Sequence, residues 1–178
     1  MKKLLIAVDV VNDFVDGSLG TPEAVAILPN VIAKIREYEE SGDGILFLRD
    51  THDEGYLRTQ EGKNLPVPHT LIGSRGWLVA DAIRDVIDTD KYLNLEKDRF
   101  ACTDLELFLK EIEEPFAIEL IGICTGICVI SNAFYIKALY PEAPISVDAR
   151  CCACVTPETH QKALDIMKLC QVEIIGEG

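Results

Sequence analysis

The strongest constraint on this chain is an alternation: short apolar runs are separated by longer stretches in which apolar residues recur at helical spacing. Such a pattern builds βαβ units, so the sequence predicts an α/β protein with a central, mostly parallel six-stranded sheet covered by helices on both faces, a three-layer α/β/α arrangement. Strands are expected near 3–9, 44–50, 91–95, 116–124, 144–148 and 171–175, and helices over 22–41, 75–88, 103–113, 127–140 and 156–170. Thr21-Pro22-Glu23 and Thr156-Pro157-Glu158 each place a capping hydroxyl before a proline at the first helical position. Gly42-Asp-Gly44 ends the first long helix. Two irregular regions remain, 10–20 and 51–74, and both follow strand ends. In an open α/β sheet that edge is where ligands bind.

With 178 residues and no linker, repeat or low-complexity segment, the chain is expected to form a single domain over 1–178. Its 30 acidic residues outnumber 17 basic ones, giving a net charge of −13, which repels phosphate backbones and anionic membranes. Nucleic acid and membrane partners are therefore not expected. The apolar start, Leu4 to Val8, is too short for a signal peptide and is broken by Asp9. Seven cysteines form an odd set that suits a reducing compartment better than a disulfide scaffold, so a cytoplasmic location is expected.

Phosphate loops and a serine nucleophile elbow are missing, which disfavours nucleotide binding and serine hydrolysis. Cys128 is the better nucleophile candidate. It lies between a predicted buried strand and a predicted helix, where the helix N-terminus is expected to lower the thiol pKa and supply N–H groups for an oxyanion. A buried small hydrophobe is the bland alternative. Asp9, directly after the first strand, sits at the same sheet edge as a general base or, more plainly, as a capping residue. Asp50 and His52 lie two apart in extended chain and point to one side, and His69 lies in the following loop. One carboxylate and two imidazoles suit Zn²⁺, Fe²⁺ or Mn²⁺, unless the histidines merely make surface hydrogen bonds. Cys151, Cys152 and Cys154 lack the spacing of a thiolate metal site and are expected to be buried or loop thiols. His160 falls inside a helix as a surface or packing residue.

Several of these segments together resemble the isochorismatase-like cysteine hydrolases, and within them the nicotinamidases, over nearly the whole chain. Leu5-Ile-Ala-Val-Asp9-Val-Val-Asn-Asp-Phe14 resembles the opening strand, Leu48-Arg-Asp50-Thr-His52 with Leu65-Pro-Val-Pro-His69 the metal segment, Glu96-Lys97-Asp-Arg-Phe100 the lysine segment, and Gly122-Ile-Cys-Thr-Gly-Ile-Cys128-Val the nucleophile motif. The resemblance implies a catalytic Asp9, Lys97 and Cys128, a metal on Asp50, His52 and His69, and a cis peptide joining Ile123 to Cys124 beside an oxyanion site. Phe14 and Phe100 would reach the pocket. It also implies an amidohydrolase that converts nicotinamide to nicotinate and ammonia through a thioester, with zinc first among the divalent metals and a homo-oligomeric assembly. The alternatives are hydrolysis of another small amide or carbamoyl compound, or a non-catalytic metabolite-binding relative. Departures include Leu65 and Pro66 in the place of a stacking aromatic, a shorter stretch between Lys97 and Thr103, Gly126 for an acidic residue, and Asn132 for a threonine.

Overall fold

The computed structural model describes residues 2–112 and 116–177. Six strands, β1 (Lys2–Val8), β2 (Gly44–Asp50), β3 (Leu93–Lys97), β4 (Phe116–Ile123), β5 (Ile145–Ala153) and β6 (Glu173–Ile175), form one sheet in the order β3-β2-β1-β4-β5-β6. Every pairing is parallel. β1 is central, and its alternating side chains divide the core in two. Leu4, Ile6 and Val8 join one apolar cluster, and Leu5 and Ala7 join the other. The second cluster lies beneath α2 (Pro22–Ser41), which contributes Ile27, Val31 and Ile35. The first is covered by α5 (Leu105–Lys110), α6 (Ile130–Leu139) and α7 (Pro157–Leu169) through Leu105, Ala133, Ile136, Leu164 and Met167.

Local chemistry fixes the helix ends. The Thr21 hydroxyl accepts the Ala24 N–H at 3.1 Å to start α2, and Gly42, at φ +71°, ends it in the left-handed conformation that glycine adopts without penalty. Thr156 and Thr159 cap α7 reciprocally. The strand order reverses direction between β1 and β4, and the crevice at such a switch point collects the loops that follow both strands. Asp9 leaves β1 there, and Cys124 leaves β4. Gly122, at φ +124°, lets β4 approach β1 so closely that a Cβ would run into the Val8 carbonyl.

Several expected boundaries move. The helix expected over 75–88 is reduced to α4 (Asp81–Arg84), because residues 75–78 form turns and a bend that lead Val79 into an antiparallel bridge with Val11. Tertiary pairing overrides the helical spacing there. α5 covers only part of 103–113, whose last position lies outside the described residues. β3 starts and ends later than expected and so carries Lys97 as its last residue, while β5 runs on through Cys151 and Cys152. The irregular regions also contain short helices, α1 (Asn12–Val15) and α3 (Gln60–Asn64).

Candidate active site and metal centre

Three strand ends bring Asp9, Asp50 and Lys97 side by side, and the turn after β4 adds Cys128. All four are buried. The Lys97 ammonium donates to Asp50 Oδ1 at 3.2 Å and to Cys128 Sγ at 3.6 Å, and pairs its charge with Asp9 Oδ2 at 2.8 Å. The Asp50 N–H donates to Asp9 Oδ1 at 2.8 Å and fixes the carboxylate plane. Asp9 has φ +52°, a conformation costly for a residue with a side chain and concentrated at functional sites.

Burial shapes the protonation states. It raises the Asp9 carboxyl to about 6, although Lys97 pulls it down. It opposes the Lys97 charge too, but Asp9, Cys128 and Asp50 outweigh it and hold the ammonium above the ordinary lysine range. For Cys128 the expectation is reversed. Burial and the Asp9 carboxylate push the thiol well above its usual value, against Lys97, so sulfur keeps its proton at rest. The helix terminus does not overcome this, because Cys128 lies inside a wide turn, closed by a Val129 N–H to Cys124 carbonyl bond of 3.1 Å, that precedes α6. The peptide joining Ile123 to Cys124 is cis.

Beside this group Asp50, His52 and His69 offer one donor atom each, all within 4.8 Å of one another. The orientation of one imidazole is set from outside the group. The His69 Nδ1–H donates to the Val67 carbonyl at 2.8 Å, which turns Nε2 toward Asp50 Oδ2, 3.4 Å away. His52 Nε2 is buried, 3.0 Å from Asp50 Oδ2, yet makes no hydrogen bond. A buried ring nitrogen left in this state beside a carboxylate fits a metal donor. The Thr70 hydroxyl holds Asp50 Oδ2 at 2.8 Å, and the two histidines with Lys97 keep that carboxylate well below its usual range in spite of burial. The donor set suits a divalent cation.

Glu61 was not singled out from sequence. Its Oε1 lies 3.9 Å from His52 Nε2 and 3.7 Å from His69 Nε2, which puts a second carboxylate beside the two imidazoles. Only the fold of the 51–74 region brings it there, and α3 carries it. His160 is also more than a surface residue: its Nδ1 is 2.7 Å from the buried Thr125 hydroxyl in the turn that carries Cys128.

A cavity of about 630 Å³ is lined by Phe14, Asp50, His69, Phe100, Cys124 and Cys128, which brings both expected pocket aromatics and both clusters to one space. Leu65 lines it as well, so an aliphatic side chain stands on that wall. Phe14 packs on His69 with ring centroids 5.4 Å apart. Cys151, Cys152 and Cys154 are buried and make no metal cluster among the described residues. Nor, among those residues, is any helix long and apolar enough to cross a membrane.

Known proteins share this architecture. The chain is 33% identical over 174 residues to an uncharacterized isochorismatase family protein, PncA, from Bacillus subtilis strain 168, covering 92% of this chain and 93% of that one. The crystal structure of nicotinamidase/pyrazinamidase PncA from Bacillus subtilis superposes with a TM-score of 0.86 at 28% identity, covering 98% of this chain and 99% of that one. Pyrazinamidase of Pyrococcus horikoshii, solved in complex with zinc, gives a TM-score of 0.81 at 25% identity over 99% and 100% of the two chains. The isochorismatase domain model matches residues 3–177, and with the fold and the sheet-edge cysteine in place the chain belongs to the isochorismatase family of hydrolases.

Proposed function

We propose that this protein hydrolyses nicotinamide to nicotinate and ammonia, a step of NAD salvage, with Cys128 as nucleophile, Asp9 as general base and acid, and Lys97 as the cation that orders both. The observation that carries the reading is the single ammonium of Lys97 in contact with Asp9, Asp50 and Cys128 beside the cavity. Because the thiol is protonated at rest, attack on the amide carbonyl requires Asp9 to take its proton as the C–S bond forms. Lys97 balances the negative charge that passes between sulfur and carboxylate. The backbone N–H groups of Cys124 and Cys128 are the proposed oxyanion donors. Protonated Asp9 then gives its proton to the departing nitrogen, the C–N bond breaks, and ammonia leaves a thioester. Water, deprotonated by Asp9, attacks the thioester, and the C–S bond breaks to give the acid and the free thiol.

Asp50, His52, His69 and Glu61 would hold a divalent metal, zinc first and iron or manganese as alternatives. When bound, it would supply a Lewis-acid contact for a pyridine nitrogen or a water molecule. Phe14 and Phe100 would flank the ring. The seven free thiols support a reducing cytoplasm, and a homo-oligomer is the proposed assembly. A second reading, another small amide or carbamoyl compound, is favoured by Leu65 on the cavity wall, which offers no aromatic face for stacking. Ammonia release from nicotinamide by metal-supplemented protein, with Cys128→Ala beside it, tests the proposal. Release that depends on Cys128 supports it; release from both proteins removes the thiol mechanism, and release from neither turns the search to other amides.

A further inference from the structure

The segment after β3 carries Phe100 to the cavity wall, yet residues 98–101 are bends, with neither helix nor strand to hold them. Burial does not hold Phe100 in place either, since 48% of it is exposed. What reaches this segment from the nucleophile side is one buried side chain on α6. Asn132 donates through Nδ2 to the Phe100 carbonyl at 3.1 Å and to the Cys128 carbonyl at 2.7 Å, and its Oδ1 accepts the Cys102 N–H at 2.8 Å. The partners dictate the amide's orientation, because two carbonyls need donors and one N–H needs an acceptor. Both amide protons are committed.

The three bonds have different work. The contact with Cys128 runs four residues back along the chain and fixes the carboxamide plane. The other two span 32 and 30 residues and grip the loop on either side of Ala101. Tyr135, on the same helix, adds a longer contact of 3.3 Å from its hydroxyl to the Thr103 carbonyl. One face of α6 therefore clasps the loop that follows Lys97.

We propose that Asn132 is a positioning residue that holds the Phe100 wall at a set distance from Cys128, and so governs how tightly substrate is held rather than how fast its bond breaks. The inference rests on the amidase reading of the cavity. Asn132→Asp keeps the size and the acceptor for Cys102 but turns a carboxylate oxygen toward two carbonyl oxygens, and Asn132→Ser shortens the side chain out of reach. For both variants KM for nicotinamide is expected to rise about tenfold while kcat stays within about threefold. In a Phe100→Ala background the same substitutions are expected to change KM less than about twofold, since the wall they position is already gone. A fall in kcat at constant KM, or a full KM effect without Phe100, would overturn the proposal.

Amide hydrogen exchange separates this from the choice of substrate. Wild-type protein that releases no ammonia from nicotinamide removes the proposed reaction, but slow exchange at Cys102 N–H still supports the clasp, with about tenfold acceleration expected in Asn132→Ser. Exchange at Cys102 in the wild type as fast as in an unprotected loop overturns the clasp whether or not the variants fold.

Discussion

Two lysines in this fold lie buried between two carboxylates, with nearly the same distances and opposite consequences. Lys97 is 2.8 Å from Asp9 and 3.2 Å from Asp50; Lys34, on α2, is 2.9 Å from Glu119 and 3.2 Å from Asp148, with the exposed Glu37 carboxylate 3.5 Å away as a third. Around Lys34 each buried acid has a further polar partner. Tyr38 donates to Glu119 at 2.9 Å, and Arg150 grips both oxygens of Asp148 at 3.2 and 3.0 Å. Around Lys97 a thiol takes the third position, and Asp50 and Cys128 border the cavity. Asp9 and Asp148 respond in opposite directions, while Asp50 is depressed as Asp148 is: burial lifts Asp9 to about 6, whereas at Asp148 Arg150 and Lys34 overcome burial. A buried lysine between acids is thus no site in itself. It becomes one where a reactive atom and an open space replace the last counter-charge.

Exchanging the chemistry of the two clusters is the direct way to break this contrast. Cys128→Ala should lower amide turnover by at least about 10⁴-fold with the fold intact, measured as ammonia release beside a thermal melt. Lys97→Met should cost about 10³-fold in kcat/KM. In contrast, Lys34→Met should leave the activity of folded protein within about threefold and lower stability by about 3 kcal/mol in denaturant melts, because Glu119 and Asp148 lose their shared cation. Equal stability losses for the two lysine variants, with equal activity, would erase the distinction.

Removing the metal sharpens it further. Chelation should lower turnover and the melting temperature together, by mass action, and added Zn²⁺ should restore both in the wild type but not in His52→Ala. Acid titration gives smaller effects of opposite sign. In the proposed reaction Asp9 must be ionised to accept the thiol proton, so kcat/KM should fall as pH drops through about 6. Its raised value means that its stabilising contribution is full below the unfolded carboxyl value and is lost as pH rises through about 6. Asp148 has a depressed value, so its contribution is present above the unfolded value near 4 and is lost as pH falls through the lower folded one. Asp148→Asn should flatten the acid limb of the stability curve while leaving the pH dependence of turnover in place.

The sheet and the ends of its central strands were legible because the signals are local. Leu4 to Val8 announces a buried strand, and Asp9 and Cys128 were found from their places at strand ends. Asp50 and His52 followed from a two-residue spacing. Lys97 was different: residue pattern put the third strand at 91–95, and only family likeness selected the lysine that the structure places at the end of β3. Glu61 and Asn132 belong to neither class. Each acts on groups far along the chain, across loops whose path no periodicity reveals, so one went unnoticed and the other registered only as a departure from threonine. The thiol of Cys128 was misjudged because a helix terminus can be read from sequence, whereas the depth of burial and two nearby carboxylates cannot.

The clasp on His69 has a consequence for how this site can drift. Its Nδ1–H is received by the carbonyl of Val67, a residue set between Pro66 and Pro68. A side-chain acceptor can be erased by one substitution, but a backbone carbonyl belongs to every amino acid. Residue 67 can therefore vary among descendants without changing the tautomer of the imidazole, provided the flanking prolines keep the chain on the same path. Heritable control of that proton resides in loop shape, and is lost by insertion or deletion rather than by point mutation at the acceptor.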